Sequence, residues 1–197
     1  STTSDRASFA VSVQLTRSIC GPLQLAQGGS VVACDSIVDS PGSLPALLVA
    51  TARLSRVTVL GRSVVGCVTD STDCLLTGEL TTASSPEGGI SYSYLPYDPS
   101  SQAPYRCQPH LSLAEPDADP ARILAELRPQ LISRRYGTPG YAQLDVRSPS
   151  AIRTAASDQG EPGALHHLQQ ALRESNLIDS QDEYLRSSLT LNLFVVT

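Results

Sequence analysis

The chain has 197 residues, of which 41% are hydrophobic, 17% charged and 5% aromatic, with a mean hydropathy of -0.06. That length and apolar content predict one folded domain rather than a disordered chain. All 14 basic residues are arginine, against 19 acidic residues, so the net charge is -5 and chemistry that needs a lysine, such as a Walker-A phosphate loop or a Schiff base, is excluded.

The sequence shows no targeting signal or membrane-spanning segment. No run of about 18 apolar residues occurs, so no membrane-spanning helix is predicted. The first residues lack the basic and apolar regions of a signal peptide. Ser1 fits removal of an initiator methionine before a small residue, so we expect an intracellular start.

The first half of the chain shows the two-residue alternation of half-buried strands. Turn residues separate the segments at intervals of about 8 to 12 residues. Residues 46–52 are apolar throughout, and periodicity does not decide between a helix and a buried strand. The predicted strands are 8–16, 30–38, 53–60, 64–65, 75–82, 90–94 and 110–113.

The second half is mixed. Asp119 followed by Pro120 predicts a helix start, with an aspartate cap and a proline in the first turn. We expect helical insertions near residues 119–135 and 162–175. Residues 148–163 are rich in small and polar residues and predict an exposed loop. Residues 188–197 alternate cleanly and predict a terminal strand.

These elements together predict a fold class. Eight or nine strands with two helical excursions favour a mostly β protein, a jelly-roll β-sandwich forming a single domain over residues 1–197. No internal repeat with a period of about 20 to 50 residues is visible.

Candidate catalytic and metal-binding residues are few. His110, His166 and His167 have no orienting partner in the sequence, and adjacent helical histidines point about 100° apart. The five cysteines show no zinc spacing and are expected to be small buried residues. The acidic group at 115, 117 and 119 lacks the glycine and glutamate of a calcium loop, so we interpret it first as helix N-terminal charge. We predict no enzyme activity, no cofactor and no metal site.

Arginines are the candidate nucleic-acid contacts, because a guanidinium binds phosphate with two hydrogen bonds. They form two groups in the sequence, and pairing with surface acids is the alternative for both. The six candidates are Arg53, Arg56, Arg62, Arg128, Arg134 and Arg135.

Residues 43–104 resemble the jelly-roll coat proteins of small icosahedral positive-strand RNA viruses. An apolar segment, Leu44 to Ala52, leads into a long predicted strand. A later strand runs into the proline-bounded loop YLPYDPSSQAP. The missing basic N-terminal arm makes the chain similar to tymovirus-like shells. RNA-phage coat proteins also lack the arm, but their strands precede two terminal helices.

The resemblance implies a structural protein. It implies a virion coat subunit, assembled in the host cytoplasm, that forms an icosahedral shell from copies of itself and encloses RNA through weak arginine contacts, with no membrane partner. Two alternatives remain open. One is a non-catalytic binding module, lectin-like or adhesin-like, with a recognition surface of tyrosines 92, 94, 97 and 105. The other is a hydrolase that uses Cys107 or His110.

Overall fold

The computed structural model describes residues 11–25, 28–84, 89–99 and 104–180. Within these residues all pairings between named strands are parallel, and the strands stack as a β-solenoid of about four turns. The jelly-roll prediction is therefore wrong. Two-residue alternation identifies a strand with one buried face, but it carries no information about the direction of the neighbouring strand.

One sheet of nine strands runs through the described residues, in the order β1-β4-β5-β6-β8, with β2, β3, β7 and β9 paired alongside. Residues 46–52, left open by the sequence, belong almost entirely to the long strand β5. The strands are β1 (Ser12–Thr16), β2 (Ile19–Cys20), β3 (Leu23–Gln24), β4 (Ser30–Asp39), β5 (Leu47–Leu60), β6 (Ser63–Thr72), β7 (Leu75–Leu76), β8 (Leu80–Thr82) and β9 (Ile90–Ser91).

Inward-facing side chains stack in columns, because parallel coils place equivalent positions directly over each other. One column pairs Val13 with Val31, Val31 with Ala52 and Ala52 with Val68. Another joins four residues that follow the corner, namely Cys20, Val38, Val59 and Leu76. The main apolar core therefore lies inside the solenoid, between the faces of each coil.

Every coil turns the same corner in the left-handed backbone region. Non-glycine residues adopt this region at a cost of about 1 to 3 kcal/mol, yet here it recurs in register. The corner residues, with φ between 48° and 56°, are Arg17, Asp35, Arg56, Asp73, Tyr92 and Arg106. The strand register on either side of the corner aligns all six.

A serine or cysteine follows the corner residue at five of the six described corners, and side chains at this position accept hydrogen bonds from the backbone of the neighbouring coil. The amide of Cys74 donates to Ser93 Oγ one coil later, at 2.9 Å, and the amide of Ser93 donates to Cys107 Sγ at 3.4 Å. Ser93 Oγ in turn donates to the carbonyl of Ser91 at 2.7 Å. A buried amide without a partner would cost about 1 to 3 kcal/mol, so these side chains stabilise the turn.

The corner side chains alternate in charge along the first four coils. The Arg56 guanidinium donates two hydrogen bonds to the Asp35 carboxylate, the second at 3.2 Å from Nη2 to Oδ2. These hydrogen bonds, together with the charges of Arg56 and Arg17, lower the pKa of Asp35. We call Arg17, Asp35, Arg56 and Asp73 the corner ladder.

The helices all lie in the second half. The 3-10 turn His166–Leu168 precedes the last one, and the elements are α1 (His110–Leu113), α2 (Pro120–Glu126), α3 (Ser150–Arg153) and α4 (Gln170–Asp179). Residues 110–113 are a helix, so the strand predicted there is wrong; four residues are too few for alternation to exclude a helical turn. The terminal strand predicted over 188–197 lies outside the described residues.

Both predicted helical insertions are shorter than expected. Asp119 caps α2 as predicted, its carboxylate accepting from the Ala121 and Arg122 amides. The helix ends at Glu126 because Leu127 leaves helical geometry two residues before Pro129. In the second insertion Gln169, at φ 46°, separates the 3-10 turn from α4.

Residues 127–164, which we call the lateral segment, cover one outer face of the solenoid. That face is a column of outward residues that includes Ile37, Leu75 and Tyr94, and it packs against Leu131, Leu144 and Ile152 among others. Polar contacts fix the docking: Tyr141 donates to Asp39 at 2.6 Å, and the Ala164 amide donates to Thr58 Oγ1 at 2.9 Å. The lateral segment therefore belongs to the same folded unit as the solenoid.

Close coil stacking gives a first prediction, at Gly78. A Cβ at this position would lie 2.3 Å from the carbonyl carbon and oxygen of Gly61, which are backbone atoms and cannot rotate away. Gly78→Ala should lower the free energy of unfolding in urea by about 2 kcal/mol or more. Gly42→Ala is the control, because a Cβ there meets nothing within 4 Å. Equal stability of the two variants would contradict the stacking.

The corner ladder gives a second prediction, on pH. The pKa of Asp35 is lower in the folded than in the unfolded chain. Its contribution to stability is thus fully present above the unfolded pKa and is lost as pH falls through the folded value. Asp35→Asn should cost about 1 to 2 kcal/mol in unfolding free energy at pH 7 and remove part of the acid sensitivity below about pH 4.

The control for this prediction is Asp70→Asn. Asp70 pairs with Arg53 at 3.8 Å, and both side chains are well exposed, at 44% and 64%. A surface pair of this kind contributes about 0 to 1 kcal/mol. Urea titrations of both variants at pH 7 and pH 3.5 separate the two cases, and an Asp35 variant as stable as wild type would contradict the ladder.

Candidate functional site

A cleft opens where the lateral segment meets the solenoid. Its volume is about 570 Å³, within the range of sites for small organic ligands. The solenoid contributes Thr77, Tyr94 and Tyr97, and α2 with the chain that follows it contributes the opposite wall. The lining residues are Thr77, Tyr94, Pro96, Tyr97, Pro109, Leu124, Leu127, Arg128, Pro129, Leu131 and Arg134.

The electrostatics of the cleft are positive. Arg128 and Arg134 both line it, and none of the described residues that line it is an aspartate or glutamate. Arg128 donates from Nε to the carbonyl of Leu124 at 3.3 Å, which anchors its guanidinium at the end of α2. Within the described part of the chain neither arginine forms a salt bridge. Two guanidiniums without a carboxylate favour an anionic ligand.

Aromatic rings form the apolar part of the wall. Tyr94 is 7% exposed, and burial raises the pKa of its phenol, with the nearby Arg128 charge acting in the opposite direction. Tyr97 is more exposed, and its ring contacts His110 with centroids 5.3 Å apart. The cleft therefore combines cationic groups with flat aromatic surfaces, an arrangement that suits a ligand with both an anionic and an apolar part.

His110 stands beside this cleft, at the start of α1. Both ring nitrogens are buried and have no hydrogen-bond partner among the described residues. Burial lowers the pKa of the imidazole, opposed by the charge of Asp98. No group in the described part of the chain orients the ring by a hydrogen bond, so the geometry does not supply the arrangement of a general base.

The arginines predicted to contact nucleic acid do not form one surface. Arg53 pairs with Asp70 on the outer face of β5, whereas Arg56 is held by Asp35 at the corner. Arg62 is exposed in the turn between β5 and β6. Of the second group, Arg128 and Arg134 line the cleft and Arg135 does not, although all three are exposed.

The four predicted tyrosines divide in the same way. Tyr94 and Tyr97 line the cleft. Tyr92 occupies a corner position, where its ring meets Tyr105 edge to face with centroids 5.7 Å apart. The four tyrosines do not form one recognition surface, because Tyr92 lies at the corner whereas Tyr94 lies two residues after it, in the outward column that also contains Leu75.

Cysteines and acids occupy structural positions. Cys74 and Cys107 are fully buried after the corner, and burial raises the pKa of their thiols to about 11 and about 12. None of the five cysteines forms a disulfide. Asp119 caps α2, and within the described residues no group of three metal-ligating side chains is present.

Two features of the site escaped the sequence reasoning. The corner motif recurs at 17, 35, 56, 73, 92 and 106, at intervals of 14 to 21 residues, mostly shorter than the repeats that were sought. At three of these corners the sequence shows a charged residue followed by a small one and then an apolar one, namely RSI, DSI and DCL. The cleft residues Leu124, Leu127 and Leu131 were recognisable in the sequence only as apolar residues at helical spacing. That spacing does not indicate which surface they contact.

No family model, curated protein or solved structure matches this chain. Among the described residues, no helix has both the length and the apolar character needed to cross a membrane.

Thiol burial gives a third prediction. At pH 8 a disulfide reagent should modify Cys74 and Cys107 only as fast as the chain unfolds, because the thiolate is the reactive species and both thiols are buried with raised pKa. The half-buried Cys67 in the same chain is the internal control. Peptide mapping by mass spectrometry measures each rate. Rapid labelling of Cys107 in the folded protein would contradict the burial and revive the hydrolase hypothesis.

Proposed function

We propose that the protein is a non-catalytic binding module whose cleft takes a small organic anion. The observation that carries this proposal is that Arg128, Arg134, Tyr94 and Tyr97 line one cavity, and that no carboxylate is among the lining residues in the part of the chain that the structure describes. An anion held by two guanidiniums gains charge-assisted hydrogen bonds. The tyrosine rings and neighbouring prolines offer apolar surface to the remainder of the ligand.

The support for a binding role comes from rigid scaffolding around the cleft. Tyr94 accepts and donates backbone hydrogen bonds within the coil stack, its amide bonding Cys74 O at 2.9 Å and its carbonyl accepting from Leu76. The opposite wall is tied by Leu131, which forms a bridge with Leu144. Walls fixed in advance reduce the entropy lost on binding.

The chemistry of the ligand follows from the lining. A phosphate or carboxylate attached to a ring would place its charge on the arginines and its ring against a tyrosine. The proposed function keeps one of the alternatives predicted from the sequence, a binding module with tyrosine contacts. The fold differs from the β-sandwich that was expected for that alternative.

The coat-protein function, with RNA and further copies of the chain as partners, stays a prediction. It depended on a resemblance to jelly-roll subunits, and the parallel solenoid does not have their strand order. Arg53 and Arg56, two of the proposed RNA contacts, face carboxylates at 3.8 Å or closer. No observation in the fold favours that function over the binding module.

The fourth prediction tests the cleft by isothermal titration calorimetry with phenyl phosphate, inorganic phosphate and benzylamine. Phenyl phosphate should bind more tightly than inorganic phosphate, and the cation benzylamine should not bind. Arg134→Gln should weaken phenyl phosphate binding about tenfold or more, since hydrogen bonds to charged groups contribute about 1.5 to 3 kcal/mol.

Arg135→Gln is the matched control, because it removes the same charge one residue away from the cleft wall. It should leave affinity within about twofold of wild type. Equal weakening by both variants would show a diffuse charge effect, and absence of saturable phenyl phosphate binding would overturn the proposed function.

A further inference from the structure

The first coil of the solenoid leaves one edge of the sheet unpaired in the described part of the chain. Strands β1 and β2 hydrogen-bond only to β4, and β3 bonds only to β5. The backbone groups on the other side of these strands have no strand partner among the described residues. An unpaired parallel edge is a template for another strand.

The apolar interior is also open at this end. The inward residues Val13, Leu15 and Cys20 are only half-buried. Their equivalents one coil later are closed off, with Val31 at 1% and Val38 at 0% exposure. At the far end of the stack the interior residues Leu95 and Cys107 are buried. Of the two ends of the described solenoid, the β1 end is therefore the one with half-buried apolar residues that another coil would cover.

The alternating charges of the corner ladder predict the charge that an added coil should carry at its corner. From Asp73 the ladder runs through Arg56 and Asp35 to Arg17, so each charge has an opposite charge on the next coil. Arg17 is exposed and is the outermost member, with Asp35 on its inner side alone. An added strand in register would place its own corner residue on the outer side of Arg17, where an acid continues the alternation.

We propose that the exposed edge of β1 to β3 binds a parallel β-strand of a partner protein that carries an aspartate or glutamate at the position facing Arg17. The strand also needs alternating apolar residues over Val13 and Leu15, and a small residue after the acid. Affinity comes from backbone hydrogen bonds, and selectivity comes from the charge at the corner.

A second copy of the chain fits this edge less well. Head-to-tail stacking in register would bring Arg106, the last corner residue, onto Arg17 of the next copy. Like charges in that position repel. The far end is also already closed, as the burial of Leu95 and Cys107 shows.

The fifth prediction uses a peptide taken from the chain itself. Strand β4 already pairs with β1, along the edge of β1 that faces the stack, and the chain at the corner of this coil carries Asp35. A fluorescein-labelled peptide with the sequence of residues 29–40, with Cys34→Ser, should bind the full chain in a fluorescence anisotropy titration. The same peptide with Asp35→Arg should bind at least about fivefold more weakly.

The charge-reversed protein makes the test specific. In the full chain with Arg17→Asp, the preference should invert, so that the arginine peptide binds more tightly than the aspartate peptide. Arg122→Asp, on the exposed face of α2, is the matched control and should keep the wild-type preference. Because Arg17 is exposed, its replacement is compatible with folding, which a thermal melt of each variant checks.

Three outcomes would overturn the proposal. They are absence of saturable peptide binding, equal affinity of the two peptides, and an unchanged preference in Arg17→Asp. A dimer of the wild-type chain in sedimentation experiments would also overturn the proposal if it blocks peptide binding and persists in Arg17→Asp. A second copy of the chain would then occupy the edge. The cleft variants Arg128→Gln and Arg134→Gln should bind the peptide normally, so this test is independent of the proposed function.

Discussion

The structure depends on one geometric constraint: each coil must return the chain to hydrogen-bonding register with the coil before it. Parallel strands have no tight turn between them, so the whole path from one strand to the next has to close. A left-handed residue recurs at the corner at six aligned positions, from Arg17 to Arg106. The small residue after it then supplies the missing hydrogen bonds, as Ser93 does for Cys74.

That constraint explains residues which suggested other roles. Cys74 and Cys107 occupy the position after the corner, where a small, weakly polar side chain is buried and bonds a carbonyl two residues earlier. Arg56 extends from the corner to Asp35 and is used in the stack. Arg128 and Arg134, which line the cleft, lie outside the coils in the chain that follows α2.

Stacking also creates the two surfaces that carry the functional proposals. The outward column through Ile37, Leu75 and Tyr94 is apolar, and the lateral segment covers it, leaving a cleft at one margin. The solenoid end at β1 repeats the same apolar interior without a cover in the described residues. One surface is concave and cationic and suits a small ligand, whereas the other is a flat edge that suits a strand.

The sequence by itself determined the local elements that depend on nearby residues. The strand over residues 30–38 and the capped start at Asp119 and Pro120 were predicted correctly, because alternation and capping are local. The parallel direction of the strands, the approach of Arg128 to Tyr94 and the separation of Arg134 from Arg135 follow from long-range packing. Strand direction and the approach of residues 34 positions apart depend on how every coil closes, and no local pattern encodes that closure.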